Sequence, residues 1–177
     1  GVSIISDIDD TVKVTEIRDG PAMVIMNTFF REFEATEGMQ PLYTASWPGA
    51  PFHYVSGGPW QLYTPIAGFL SDARFPEGSL HMRDFPLHPF NEASWNDLPD
   101  QILNPSATFE HKVREISTLM KRFPARQFVL IGDSGESDPE IYREIQRQLG
   151  PQVLKIIIRD VAGEPERLKG MEVIEVE

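Results

Sequence analysis

Three of the four residues at positions 7 to 10 are aspartates, Asp7, Asp9 and Asp10, in the stretch SDIDDTVK. Two carboxylates about 4 Å apart repel by roughly 4 kcal/mol at an effective dielectric near 20. Such crowding asks for a nearby cation or for a proton held on one of the acids. Asp7 and Asp9, two apart in an extended stretch, project to the same side of the chain. Farther along stand Ser56-Gly57-Gly58, Lys112 and the run GDSGESD with Asp133 and Asp138. Each piece suits phosphoryl transfer. Asp7, anionic at neutral pH, could attack phosphorus without a base and form an aspartyl-phosphate. Asp9 could give a proton to the leaving alkoxide and later take one from the hydrolytic water. Magnesium, a hard ion that takes oxygen ligands, fits the acid density. Asp7, Asp133 and the backbone carbonyl of Asp9 make a candidate ligand set, and Asp138 reads equally as a further metal acid and as a helix N-cap. Ser56 with the Gly57 and Gly58 amides offers a phosphate nest, Lys112 a point charge, and Thr11 a hydroxyl beside the nucleophile.

These residues must be brought together by regular elements. The apolar run before Asp7 predicts a strand over 2–7. An amphipathic helix is expected at 21–36, with Pro21 near its start and Gly38 just past its end. FHYVS predicts a second strand at 52–56, a helical segment follows at about 60–73, and SLHMRD suggests a short strand at 79–84. A proline-rich stretch over 85–107 is too long for a simple connector. A helix at about 109–122 follows, then the buried strand QFVLIGD at 127–133. The next helix opens SDPEIY, with Asp138 as N-cap, Pro139 at its first position and Gly150 as its stop. VLKIIIRD at 153–160 is a further buried strand, and EVIEV at 172–176 an edge strand. Alternating strands and helices, with strands that are continuous apolar runs, predict an α/β fold: a parallel central sheet with helices on both faces. Ligands bind such sheets outside the carboxyl ends of the strands, where Asp7, Asp9, Ser56 and Asp133 fall. Arg83, Asp84, Arg159 and Asp160 also lie at strand ends, where they read as ion-pairing residues, as does Lys13.

The 177 residues suit a single domain, 1–177, and the direct start in a strand suggests a piece excised from a longer protein. A net charge of −11 argues against nucleic acid and against polybasic membrane attachment. The chain has no cysteine, which removes disulfides and thiolate chemistry. The four histidines show no metal-ligand spacing and read as structural or exposed. GDSGE lacks the second glycine of a nucleophile elbow and no histidine follows it, so a serine hydrolase is disfavoured. There is no nucleotide P-loop. A phospho-acceptor receiver domain would carry its acceptor on a middle strand, whereas the acid pair here opens the chain.

The order Asp-x-Asp-x-Thr, Ser, Lys, Gly-Asp-x4-Asp resembles the haloacid dehalogenase superfamily of phosphatases. More narrowly, SDIDDTVK, HYVSGGPWQLY, RDF, HK and FVLIGDSGESDPEIY followed by IIIRDV resemble the App1-type phosphatidate phosphatase domain, a distant functional cousin of lipins. The resemblance implies a three-layer α/β/α Rossmann-like fold, with Asp7 as nucleophile, Asp9 as acid/base and magnesium as cofactor. It further implies hydrolysis of phosphatidate to diacylglycerol, in the cytoplasm, with peripheral membrane contact. Superfamily members acting on small metabolites usually carry a large cap; no segment here is long enough, so the site is expected to be open to a large phosphomonoester. A phosphoprotein or soluble-monoester phosphatase, and a module that binds phosphatidate without cleaving it, are the alternatives.

Overall fold

Six parallel strands form one sheet in the order β3-β2-β1-β4-β5-β6. They are β1 (Val2–Ser6), β2 (Phe52–Pro59), β3 (Gly78–Arg83), β4 (Gln127–Asp133), β5 (Val153–Asp160) and β6 (Glu172–Glu175). The computed structural model describes residues 1–9, 11, 34–84 and 104–175. Residues 21–33 of the helix expected at 21–36, Asp10, Lys13 and residues 85–103 of the proline-rich stretch lie outside the described residues; Glu34, Ala35 and Thr36 are not helical.

Strand alternation sorts the core into two layers. Ile4, Val129, Ile131 and Ile157 face one side, where they meet Met39 and Tyr43 of α1 (Met39–Ser46) and Ile66, Phe69 and Leu70 of α2 (Tyr63–Asp72). Ile5, Leu130, Ile156 and Ile158 face the other, against Ile116, Leu119 and Met120 of α3 (Pro105–Arg122) and Ile141, Tyr142 and Ile145 of α4 (Asp138–Leu149). Each such side chain, fully buried, contributes about 1.5–3 kcal/mol. The expected α/β/α layering is therefore observed, and among the described residues no separate cap domain interrupts it. The connections reverse direction between β1 and β4, which pair from Val2↔Gln127 to Ser6↔Ile131. That reversal opens a crevice beyond the carboxyl ends of these two strands.

Several boundaries differ from expectation, chiefly among the helices. Helix α1 was not foreseen; its eight residues hold too few apolar positions to show a period. Gly38, expected to end a helix, instead precedes this one at φ 77°, a left-handed conformation open to glycine. Helix α3 begins at Pro105 rather than 109, because the Asn104 side chain accepts from the Ala107 amide at 3.1 Å.

On β2 and β3, His53 Nδ1 and His81 Nε2 both bond the Ser79 hydroxyl, at 2.7 and 2.8 Å. Burial, reinforced by the charges of His81 and Arg126, pushes His53 down to about 4. Its folded value lies below the unfolded one, so the unfolded chain binds more protons as pH falls from about 6.5 towards 4, and stability drops in that window. Between pH 7 and pH 5 the chain is expected to lose on the order of 1 kcal/mol more than His53→Gln, after allowing for screening at this half-buried site. Urea midpoints at both pH values check this, and equal losses in the two proteins would refute it.

Candidate functional site

β1 ends one residue before Asp7, whose amide continues the ladder by donating to the Ile131 carbonyl at 2.8 Å. The next residue back, Ser6, donates to the Asp7 carbonyl at 2.6 Å and shares a 2.7 Å bond with the Tyr43 hydroxyl. Asp7 is thus fixed between β1 and β4 and is 1% exposed. Lys112, in the middle of α3 and 2% exposed, brings its ammonium 2.7 Å from Asp7 Oδ1 and 2.8 Å from Asp138 Oδ1. Glu136 Oε2 lies 3.3 Å from the same ammonium. Lys112 is the ion-pair partner of Asp7, and among the described residues neither buried Asp7 oxygen accepts a hydrogen bond.

Asp138 corrects an expectation. Ser137 holds the N-cap position, and Asp138 is the first residue of α4, with its carboxylate turned inward. Asp138 Oδ2 accepts from the Asp133 amide at 3.3 Å, so the side chain closes the 133–138 loop from within. Gly132 permits this approach: a Cβ there would lie 2.8 Å from Asp138 Cγ. Asp133 accepts at Oδ1 from the Gly135 and Glu136 amides, at 2.7 and 3.3 Å, and at Oδ2 from the Thr11 hydroxyl at 3.2 Å. The Thr11 hydroxyl is therefore occupied by Asp133. Ser56 Oγ donates to Asp9 Oδ2 at 3.3 Å and accepts from the Gly58 amide at 2.9 Å. At Gly57 a Cβ would stand 2.6 Å from Thr108 Cγ2, so the lack of a side chain lets the start of α3 close on this turn.

Asp7, Lys112, Asp138, Asp133 and Thr11 thus form one connected cluster at the carboxyl edge of the sheet, which the Ser56–Asp9 pair joins through the Thr11 amide, donating to the Asp9 carbonyl at 2.7 Å. Arg83, at the end of β3, donates to Thr108 Oγ1 at 3.1 Å. Asp160 braces the adjacent loop, accepting from Ser134 Oγ at 2.7 Å and from the Gly163 amide at 2.9 Å.

One oxygen from each of Asp7, Asp133 and Asp138 lies within 4.8 Å of the others, so this buried triad could hold a metal ion. An all-oxygen donor set that includes two Asp7 oxygens accepting no hydrogen bond among the described residues suits a hard divalent cation. Burial first, then the charge of Asp138, pushes the Asp7 carboxyl well above the usual range, with Lys112 opposing. Burial alone would lower the Lys112 ammonium, but Asp138, Asp7 and Glu136 outweigh it and keep the lysine charged.

Two residues were missed from the sequence. Glu136, within GDSGESD, touches Lys112. Arg167, in the short 3-10 turn Pro165–Leu168, donates to the Ser134 carbonyl at 2.9 Å and to the Glu136 carbonyl at 2.7 Å. It also grips both Glu140 oxygens at 2.9 Å. Nothing in the local sequence distinguished it from other surface arginines.

Residues 2–160 match the family described as the phosphatidate phosphatase APP1 catalytic domain. The chain is 33% identical over 168 residues to an uncharacterized protein of Schizosaccharomyces pombe, covering 93% of this chain and 26% of that one. It is 31% identical over 163 residues to phosphatidate phosphatase APP1 of Saccharomyces cerevisiae, covering 90% of this chain and 26% of that one. The chain therefore spans about a quarter of the length of these relatives.

Two outcomes are expected from this geometry. In chelator-containing buffer, Lys112→Met should cost about 3–5 kcal/mol of unfolding free energy, because it strands buried carboxylates. Adding Asp138→Asn should return part of that loss, a coupling of about 0.5–3 kcal/mol by denaturant unfolding; strictly additive losses would refute the coupling. Arg167→Ala should speed hydrogen exchange at the Gly135 and Glu136 amides roughly tenfold while leaving β1 amides unchanged, as local opening predicts.

Proposed function

The chain belongs to the family of the phosphatidate phosphatase APP1 catalytic domain, and from its site geometry we propose that it is a magnesium-dependent phosphatase that hydrolyses phosphatidate to diacylglycerol through an aspartyl-phosphate. The observation that carries this reading is Asp7: a buried carboxylate, neither oxygen accepting a hydrogen bond, set beside a buried lysine at the switch point of the sheet. A carboxylate kept only to hold the structure would have its oxygens bonded. An unbonded pair of oxygens is what a nucleophile and metal ligand need before substrate arrives.

Asp7, Asp133 and Asp138 would hold the metal. Bound magnesium supplies positive charge that keeps Asp7 ionised and draws electron density from the phosphate. The protein's own groups carry the rest. One Asp7 oxygen attacks phosphorus as the bond from phosphorus to the glycerol oxygen breaks. Asp9, oriented by Ser56, gives its proton to that oxygen, and diacylglycerol leaves. Asp9 then takes a proton from water as the water oxygen bonds to phosphorus. The acyl-phosphate bond to Asp7 breaks, releasing inorganic phosphate and restoring both carboxyl groups. Lys112 fixes the attacking carboxylate and offers charge to the transferring phosphoryl oxygens. The Gly57 amide would meet a remaining phosphate oxygen, while Ser56, held by the Gly58 amide, keeps its hydroxyl on Asp9.

Phosphate release from phosphatidate in mixed micelles tests this reading, with and without magnesium, beside a soluble aryl phosphate. Asp7→Asn keeps the shape of the side chain and removes its nucleophilicity, so turnover should fall by roughly a thousandfold or more, about 4 kcal/mol of barrier. Magnesium-dependent turnover favouring the lipid supports the proposal. Turnover of the aryl phosphate alone would keep the mechanism and discard the lipid. Binding of phosphatidate with no release would identify a sensor.

A further inference from the structure

β2 carries Ser56 to the carboxyl edge of the sheet and ends at Pro59, which pairs with Arg83 at the end of β3. The chain then turns through a short 3-10 helix, Trp60–Leu62, into α2. Leu62 is buried and anchors that turn in the core. Its neighbours are not buried: Trp60 is 51% and Tyr63 39% exposed, with ring centroids 4.7 Å apart and planes 36° from parallel. Two aromatic rings, tilted against each other and partly open to solvent, thus stand within a few residues of the candidate phosphate-binding turn. Among the described residues, the other exposed large hydrophobics lie elsewhere. Phe123 follows α3 and Leu154 opens β5, both at the amino-terminal edge of the sheet, and Val173 sits on the outer strand β6.

Tryptophan and tyrosine join an apolar body to a polar tip, and they concentrate where hydrocarbon meets headgroups. A net charge of −11 offers no polybasic attraction to an anionic membrane, so any bilayer contact must be made by such interfacial side chains. No described helix is long and apolar enough to cross a membrane. A phosphatidate headgroup sits at the bilayer surface, and its phosphate can reach Asp7 only if the rim of the crevice meets that surface.

We propose that Trp60 and Tyr63 form a bilayer-contact surface at the mouth of the site, seating the chain at headgroup depth beside its substrate. This inference rests on the reading of phosphatidate as the substrate.

The test separates contact from catalysis. Partition onto phosphatidylcholine vesicles containing phosphatidate is measured by co-sedimentation in the Asp7→Asn background, where the lipid stays intact. Trp60→Ala/Tyr63→Ala should lower this partition roughly tenfold, equivalent to about 1.4 kcal/mol. Trp60→Phe should keep most of the binding and Trp60→Gln should not, which distinguishes contact from misfolding. With Asp7 intact, the double variant should lose turnover of vesicle phosphatidate in proportion while hydrolysing a monomeric short-chain phosphatidate at the original rate. Unchanged partition in the double variant would overturn the proposal and point to a protein as the occupant of this surface. Equal losses on the vesicle and monomeric substrates would overturn it too, by placing the rings in the site itself. If the unsubstituted chain hydrolyses neither form of phosphatidate, the substrate reading fails, and the vesicle partition alone decides the surface.

Discussion

A buried lysine clasped between two buried aspartates is the contact on which the rest of the site depends. Lys112 comes from the middle of α3, Asp7 from the end of β1 and Asp138 from the first turn of α4, so the cluster ties three elements far apart in sequence. Removing such ions from water costs several kcal/mol each, and close pairing is what offsets it. The α4 macrodipole adds to the balance, since its positive end favours a carboxylate at its first turn. Any arrangement that separated α3 from the β1 end would leave these charges buried and unpaired. The ion cluster therefore fixes how the second helical layer sits on the sheet, as well as the chemistry at its edge.

Among the contacts of Lys112, acids outnumber the single ammonium. Asp7, Asp138 and Glu136 surround it, with Asp133 beside the two aspartates, and the surplus is distributed unevenly. Asp133 is bonded by two loop amides and Thr11, and Asp138 by the Asp133 amide together with Lys112. Asp7 has its main chain bonded on both sides and its carboxylate unbonded. The electrostatic strain is thus concentrated on the one side chain whose position is most firmly held. An ionised Asp7 needs a further positive charge, and the triad oxygens mark where that charge would bind.

Much of this was legible in the sequence, for identifiable reasons. The strands of the inner sheet are continuous apolar runs, and their order of alternation with helices permits few topologies. The acids fell at strand ends because the fold delivers its ligands there. What was not legible depended on long-range contacts. Helix α1 buries Met39 and Tyr43 alone and shows no stripe, and its start at Gly38 looks from sequence like the end of a helix. Asp138 followed by proline satisfies every local rule for a cap, yet a lysine 26 positions earlier draws its carboxylate inward. Glu136 could be recognised only once that same lysine was in place. Local rules assign a side chain to its nearest backbone partner; a buried counter-ion overrides them.

Arg167 shows where the working unit ends. It lies beyond residue 160, the limit of the family match, on a turn that reads as a surface connector. Its guanidinium nonetheless bonds the carbonyls of Ser134 and Glu136, the loop whose amides hold Asp133. Hydrogen bonds to Glu140 and Glu164 raise it further above its ordinary value, so it stays charged at any working pH. A permanent cation on the outer side of the loop opposes the negative charge within, without competing for the oxygens that face the crevice. Leu168, one residue on, is buried among Ile141, Tyr142 and Ile145 and anchors the brace to the α4 layer. The loop between Asp133 and Asp138 is therefore held from both sides, by Lys112 through Asp138 and by Arg167 through its carbonyls. A chain cut at residue 160 would keep every acid of the site and lose half of the support that positions them.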